Sequence, residues 1–365
     1  MDCFDRLACP ACGVSSGSRC EEIEEGVAAG ADVRSVDGDA CPDASSHRRR
    51  AVLVGTAGAA GIGGLAVARG ARRLTDGGTN EDTQTVTDDP PPSPTDNPTL
   101  VAHRGFAGEN PENTLTAARA ATREDGPGGR ADFVEFDVVA TSEGDVVVFH
   151  DDELAGRDGD EPGVTDVDGV VWETDTETVT SAEVLGSGET VPRLNEMLAA
   201  IPTDVGVNVE LKNPGSGSLR FGEKLSERDL EARKSIWGPF VDRVLAALDA
   251  TDHEVLLSSF YEAAVAVAAE RSTYPVAPIL WDSVEDGISI AERYDAAAVH
   301  PPAEMVRRTP FFDDSRFGGT DIVEAARTDG RAVNVWTVET WYQAERLVEA
   351  GVDGLIADYS TLLSE

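Results

Sequence analysis

The stretch FVEFDVVATSEGDVVVFH (Phe133–His150) holds two apolar runs, Phe133–Val139 and Val146–His150, with only six residues between them. Two parallel neighbours need a crossover of about a dozen residues or more. The runs must therefore pair antiparallel, around a turn at Ser142-Glu143-Gly144 that sets Glu135 roughly opposite His150. Seven further short runs flank this pair: Thr99–His103, Val207–Leu211, Val255–Ser259, Val276–Leu280, Ala297–His300, Val333–Thr337 and Gly354–Asp358. Amphipathic segments such as WGPFVDRVLAALDA and WYQAERLVEAG lie between most of them. With Val146–His150 set aside as the return arm of a hairpin, eight strand-helix repeats remain. Alternation of that kind builds a parallel sheet, and eight repeats over about 265 residues suit a closed TIM-type (β/α)8 barrel. The expected fold is α/β: such a barrel with an added β-hairpin, over residues 99–365.

Upstream, the composition changes three times. Residues 72–98 are acidic and Pro-rich, with little to bury, and read as a linker. Residues 48–71 place a basic triplet before the uncharged run Ala51–Ala68, which ends in Ala66-Val67-Ala68. That order resembles a twin-arginine export signal, so an extracellular or cell-surface location is expected. A retained anchor is the second reading, and a cytoplasmic protein with a buried glycine-rich helix the third. All five cysteines lie in residues 1–47, an uncertain segment that an overextended gene start would explain. CPAC at Cys9–Cys12 has no second CxxC to complete a zinc ribbon, and no disulfide can staple the barrel.

The charge is extreme, at −38 from 68 acidic and 30 basic residues, of which only three are lysine. Such a surface repels itself until salt screens it, so the composition suits concentrated salt. It argues against nucleic acid or an anionic membrane as partner. Membrane association is expected only through 51–68.

Against that background the strand ends carry the chemistry. Glu135 and Asp137 are two apart on one strand, as are Glu210 and Lys212 on another, so each pair shares a face. Unpaired charges do not face a core without a cost of several kcal/mol; at the C-terminal rim of a barrel they converge on a mouth instead. Three carboxylates there suit a hard divalent cation, Ca²⁺ or Mg²⁺. His103 and His150 add two titratable groups, and Arg104 and Lys212 two fixed positive charges. This set of parts suits phosphoryl transfer on an anionic substrate. His300 ends another strand, but with no charged neighbour in sequence it reads as structural. Trp172, Trp237, Trp281 and Trp341 read as packing residues, and Glu112 and Asn113 as braces of the first loop.

The ordered set HRGFAGENPENT, VEFDVVATSEGDVVVFHDDEL, VPRLNEML, VNVELK, VLLSSF, VNVWTV and GVDGLIADYSTLL resembles the glycerophosphodiester phosphodiesterases over residues 99–363. The resemblance implies a barrel that hydrolyses glycerophosphodiesters to glycerol 3-phosphate and an alcohol, with one divalent cation. It implies Glu135, Asp137 and Glu210 as metal ligands and His103 and His150 as the acid/base pair. Arg104 and Lys212 are implied as phosphate contacts, and Trp336 as an aromatic lining the pocket. The chain departs from the family pattern at Glu339, where many relatives carry Asn. The polar segment 213–237 reads either as a lid or as a surface loop with a helix in it. Alternatives are phospholipase C- or D-like activity on (lyso)phospholipids in the same barrel, and a non-catalytic phosphodiester-binding surface protein.

Overall fold

The computed structural model describes residues 98–363 apart from 158–160 and 223. The expectations for residues 1–47, for 48–71 and for nearly all of 72–98 fall outside the described residues.

Eight parallel strands form the barrel: β1 (Thr99–Ala102), β2 (Phe133–Ala140), β6 (Gly206–Asn213), β7 (Val255–Ser259), β8 (Val276–Pro278), β9 (Ala298–Val299), β10 (Ala332–Val338) and β11 (Gly354–Ala357). Their order is β8-β7-β6-β2-β1-β11-β10-β9. A parallel bridge from Ile279 to His300 closes the ring between β8 and β9. Helices α1 (Leu115–Ala121), α3 (Leu194–Ala200), α4 (Glu227–Leu248), α5 (Glu262–Arg271), α6 (Val284–Arg293), α8 (Ile322–Thr328) and α9 (Trp341–Ala350) make the seven crossovers, with the short α7 (Asp314–Phe317) in the connection before α8. Their ends follow local chemistry: Thr114, Ser226 and Ser283 accept backbone N–H groups as N-caps, and Thr340 forms a capping box with Gln343. Gly351, at φ 91°, ends α9 in the left-handed region.

The hairpin forms as expected, β2 running antiparallel to β3 (Val146–Val148). Its register pairs Val138 with Val148 and Ala140 with Val146. Continued, it sets His150 across from Phe136 and not from Glu135, because the turn closes between Thr141 and Asp145. The chain does not return at once to the barrel. Residues 149–193 carry the small ribbon β4 (Gly156–Arg157) and β5 (Glu161–Pro162) and helix α2 (Thr176–Ser181). This excursion has its own apolar cluster of Val147, Phe149, Leu154, Val171 and Val179 among others, separate from the main core.

β2 and β6 are buried along their whole length. Their apolar residues alternate with Glu135, Asp137, Asn208, Glu210 and Lys212, and the register pairs Glu135 with Asn208 and Asp137 with Glu210. Alternate side chains point to opposite faces, so the polar set lies on one face, the lumen, and the valines face the helices. Segment 213–237 divides as half of its reading anticipated, into a loop followed by α4 from Glu227.

Candidate active site

The turn after β1 is bent by three consecutive residues with positive φ: Arg104 (50°), Gly105 (80°) and Phe106 (64°). Left-handed backbone costs a non-glycine residue of order 1–3 kcal/mol and recurs at functional sites. Here it turns His103 and Arg104 over the end of the barrel. The Arg104 backbone N–H donates to Glu135 Oε2 at 2.9 Å, and its guanidinium lies between Glu112 (Nη1 to Oε1, 2.5 Å) and Asp137 (Nε to Oδ2, 3.2 Å). Gly105 packs where any side chain would strike Ala117 of α1.

Three carboxylates from β2 and β6 meet below this turn. One oxygen each of Glu135, Asp137 and Glu210 lies within 4.8 Å of the others, and all three residues are buried. Lys212 Nζ stands 3.2 Å from Glu210 Oε1 and 3.8 Å from Asp137 Oδ1. Asn113 donates to Asp137 Oδ2 at 2.9 Å and accepts from its backbone N–H. Glu135 Oε1 is buried with no hydrogen-bond partner among the described residues.

Burial sets the ionisation. It raises Glu135 well above the usual carboxylate range, helped by Asp137 and Glu210. It lifts Glu210 to about 7 against the pull of Lys212. Burial opposes the charge on Asp137 too, but His150, Arg104 and Lys212 outweigh it and hold that carboxyl at about 2. Since His150 is itself depressed, the two fixed bases carry that effect. Counting Glu112 and Asp151, five carboxylates surround Arg104 and Lys212, so negative charge exceeds positive when all are ionised.

Both histidines are oriented through Nδ1. His103 Nδ1–H donates to Asp358 Oδ1 at 2.5 Å, and His150 Nδ1–H to Asp151 Oδ1 at 2.7 Å. Each imidazole then keeps its Nε2 lone pair. Burial lowers the pKa of His103, with Asp358 resisting, and burial with Arg104 and Lys212 lowers that of His150 much further.

Seven of the eight expected residues thus share one neighbourhood, and Trp336 stands apart from the carboxylates. Its indole N–H donates to the His300 carbonyl at 2.9 Å. Its ring stacks on Trp281 (5.9 Å, 15°) and meets Phe260 edge-on (5.4 Å). Phe221, from the loop before α4, stacks on Phe260 at 4.4 Å. The wall meets the charged group where Lys212 Nζ lies 5.9 Å from the Phe260 ring centre. Glu339 donates its backbone N–H to Gln343 Oε1 at 3.0 Å, at the capped start of α9. A cavity of about 700 Å³ lined by Leu198, Ile201, Arg243 and His253 among others lies at the N-terminal ends of β6 and β7, away from this chemistry.

Sequence reading missed Asp358, Trp281 and the reach of Glu112 and Asn113. Asp358 lies 255 residues from His103 and meets it only because β11 pairs with β1; the IADYS motif was its one local signal. Trp281 follows β8 by three residues and Trp336 lies near the end of β10, and that similar position at the strand ends was legible.

Residues 103–362 match the family model described as Glycerophosphoryl diester phosphodiesterase family. The chain is 29% identical to the probable glycerophosphodiester phosphodiesterase 2 of Mycobacterium tuberculosis, over 73% of this chain and 89% of that protein. It is 22% identical to a human lysophospholipase D over 73% of this chain and 84% of that one. The fold matches a phosphodiesterase of Oleispira antarctica, solved with the product sn-glycerol-3-phosphate, with a TM-score of 0.56 and 24% identity over 72% of this chain and 94% of the other.

Proposed function

The chain belongs to the glycerophosphoryl diester phosphodiesterase family, and from that premise we propose that it hydrolyses glycerophosphodiesters to glycerol 3-phosphate and an alcohol. The observation that carries this reading is the buried group Glu135, Asp137 and Glu210, whose charge the neighbouring bases balance only in part.

That group fits one hard divalent cation, Ca²⁺ or Mg²⁺. Its donors are all oxygens, Glu135 Oε1 has no hydrogen-bond partner among the described residues, and the carboxylates outnumber the neighbouring bases, which calls for added positive charge. When bound, the cation supplies positive charge against the developing charge on the phosphate. Arg104 and Lys212 contribute fixed positive charge on the same side and orient the diester. His103 and His150, held through Nδ1 by Asp358 and Asp151, present Nε2 as base and acid. One accepts the proton of the attacking oxygen, and the other, once protonated, returns one to the leaving alcohol. Trp336 and Trp281 offer an apolar surface to the uncharged part of the substrate.

Phosphorus NMR of the products from glycerophosphocholine, in molar salt to screen the −38 charge, tests the reaction. Glycerol 3-phosphate is expected. Phosphocholine as product would assign the other ester bond, and retention without turnover would make the protein a binder.

We also place the enzyme outside the cell, on the export-like residues 48–71. Mass spectrometry of the mature N-terminus tests this, and a cytoplasmic protein that keeps residues 1–47 would refute it.

A further inference from the structure

Glu262 is a buried carboxylate, 1% exposed in the first turn of α5, for which the chemistry above has no use. One of its oxygens accepts the backbone N–H of Leu225, and the other accepts the Tyr294 hydroxyl at 3.3 Å with Arg293 3.8 Å away. Leu225 belongs to the loop between β6 and α4, which lies between the motifs VNVELK and VLLSSF and is part of neither. Three further ties hold that loop. Asn213 accepts the N–H groups of Gly215 and Ser216, and Arg233 of α4 donates to the Ser218 carbonyl. The Gly222 N–H donates to the Phe260 carbonyl at 3.1 Å, and Gly222, at φ 66°, packs so close that an added Cβ would come within 3.3 Å of Trp281. Pinned in this way, the half-buried Phe221 stacks on Phe260 at 4.4 Å and meets Trp281 edge-on at 5.6 Å and Tyr261 at 5.9 Å. Trp341, 66% exposed at the start of α9, makes no ring contact with this group.

We propose that Phe221 is a specificity-determining residue and Glu262 the residue that positions it, so that the site favours diesters whose alcohol has an apolar face over those whose alcohol is a second polyol. The inference rests on the phosphodiesterase reading above. From Lys212, whose Nζ lies 5.9 Å from the Phe260 ring, the wall continues through Phe260 to Phe221 on one side and to Trp336 on the other. A diester whose phosphate lies among Arg104, Lys212 and the carboxylates has two organic groups to place. The hydroxyls of glycerol need hydrogen-bond partners, and burial without them is costly. The charged side offers such partners. The wall does not, since Phe221 and Phe260 have no polar side-chain atom and the Trp336 N–H is already bonded to the His300 carbonyl. Glycerol therefore belongs on the charged side and the alcohol against the rings, where an apolar face is covered by Phe221. That contact is the same before and during reaction, so it acts on KM and not on kcat. Glu262 acts on it through the Leu225 backbone.

Two diesters on the intact protein test this: the benzyl ester of glycerol 3-phosphate and glycerophosphoglycerol. Steady-state kinetics with cation present reads KM and kcat, and titration calorimetry in EDTA reads binding. Wild type is expected to bind the benzyl ester more tightly. Phe221→Ser should raise its KM and Kd by about tenfold, those of glycerophosphoglycerol by no more than about twofold, with Phe221→Trp restoring the difference. Glu262→Ala should reproduce the loss of Phe221→Ser, and the two together should lose no more than either alone. Glu262→Gln, which still offers an oxygen to the Leu225 N–H, should stay near wild type. Circular dichroism checks folding, and Glu262→Asp, which withdraws the carboxylate by one methylene, replaces Glu262→Ala should that variant unfold. Equal affinity of wild type for the two diesters, or a Phe221→Ser loss that is equal on both or absent, would overturn the specificity. Additive losses at Phe221 and Glu262 would overturn the positioning. Cleavage of both diesters with no dependence on Phe221 defeats this inference alone. Phe221-dependent binding of the benzyl ester with cleavage of neither defeats the reaction and leaves the wall standing.

Discussion

The two sides of the barrel mouth handle buried polarity in opposite ways. On the side of β1, β2 and β6, charge is concentrated and cross-tied: Arg104, Lys212 and Asn113 all reach Asp137. On the side of β9 and β10, polarity is buried and uncharged. His300 and Asn334 are fully enclosed, and among the described residues neither His300 ring nitrogen nor either Asn334 amide atom has a hydrogen-bond partner. Burial alone depresses His300 to about 3, so its ring is neutral. The contrast teaches that burial does not by itself mark a functional group. A buried carboxylate in excess charge has a cation still to meet, whereas a buried neutral imidazole has lost water without acquiring a role in charge balance.

Substituting histidines on the two sides should break the symmetry most strongly. His103→Ala is expected to lower kcat by about 10²–10⁴-fold, while His300→Leu should leave kcat nearly unchanged. Steady-state kinetics on glycerophosphocholine checks both, and comparable losses would remove the distinction. Asp358→Asn sharpens it next. Without the acceptor at Nδ1, His103 loses its fixed tautomer, and kcat is expected to fall by roughly 10²-fold with the melting temperature little altered. A large loss of stability with normal turnover would make Asp358 a packing residue.

The smallest expected effect concerns stability against pH. His300 has a folded pKa of about 3 against an ordinary 6.5. Between those values the unfolded chain binds a proton that the folded chain refuses, so stability falls as pH falls through that window and is unaffected by His300 above it. Removing the group in His300→Leu should flatten the slope there by up to about 1.4 kcal/mol per pH unit. It should cost little near neutrality, because both ring nitrogens lack partners. Urea unfolding at a series of pH values measures this, and an unchanged slope would show that His300 titrates normally in the fold.

Much of the charged side was legible in the sequence. The spacing of Glu135 with Asp137 and of Glu210 with Lys212 fixes a shared face whatever the rest of the chain does, and the short interval in Phe133–His150 forces the hairpin. What local pattern could not supply was closure. Asp358 reaches His103 because the last strand pairs with the first, and Trp281 reaches Trp336 because β8 meets β9 across the seam. The excursion over 149–193 was also hidden, since its strands are two residues long and carry no periodicity. Trp341 read as a packing residue because a tryptophan at the start of an amphipathic helix usually is one; its exposure depends on which face α9 turns to the core.

The central claim is that Glu135, Asp137 and Glu210 together complete their charge with one divalent ion. Calorimetric titration of the EDTA-stripped protein with Ca²⁺ or Mg²⁺, alongside Glu210→Gln, tests it most directly. The account predicts one cation per chain, binding that weakens by about tenfold or more when Glu210 is neutralised, and turnover that returns in step with occupancy. Full turnover of the stripped protein, or cation binding indifferent to Glu210, would contradict it.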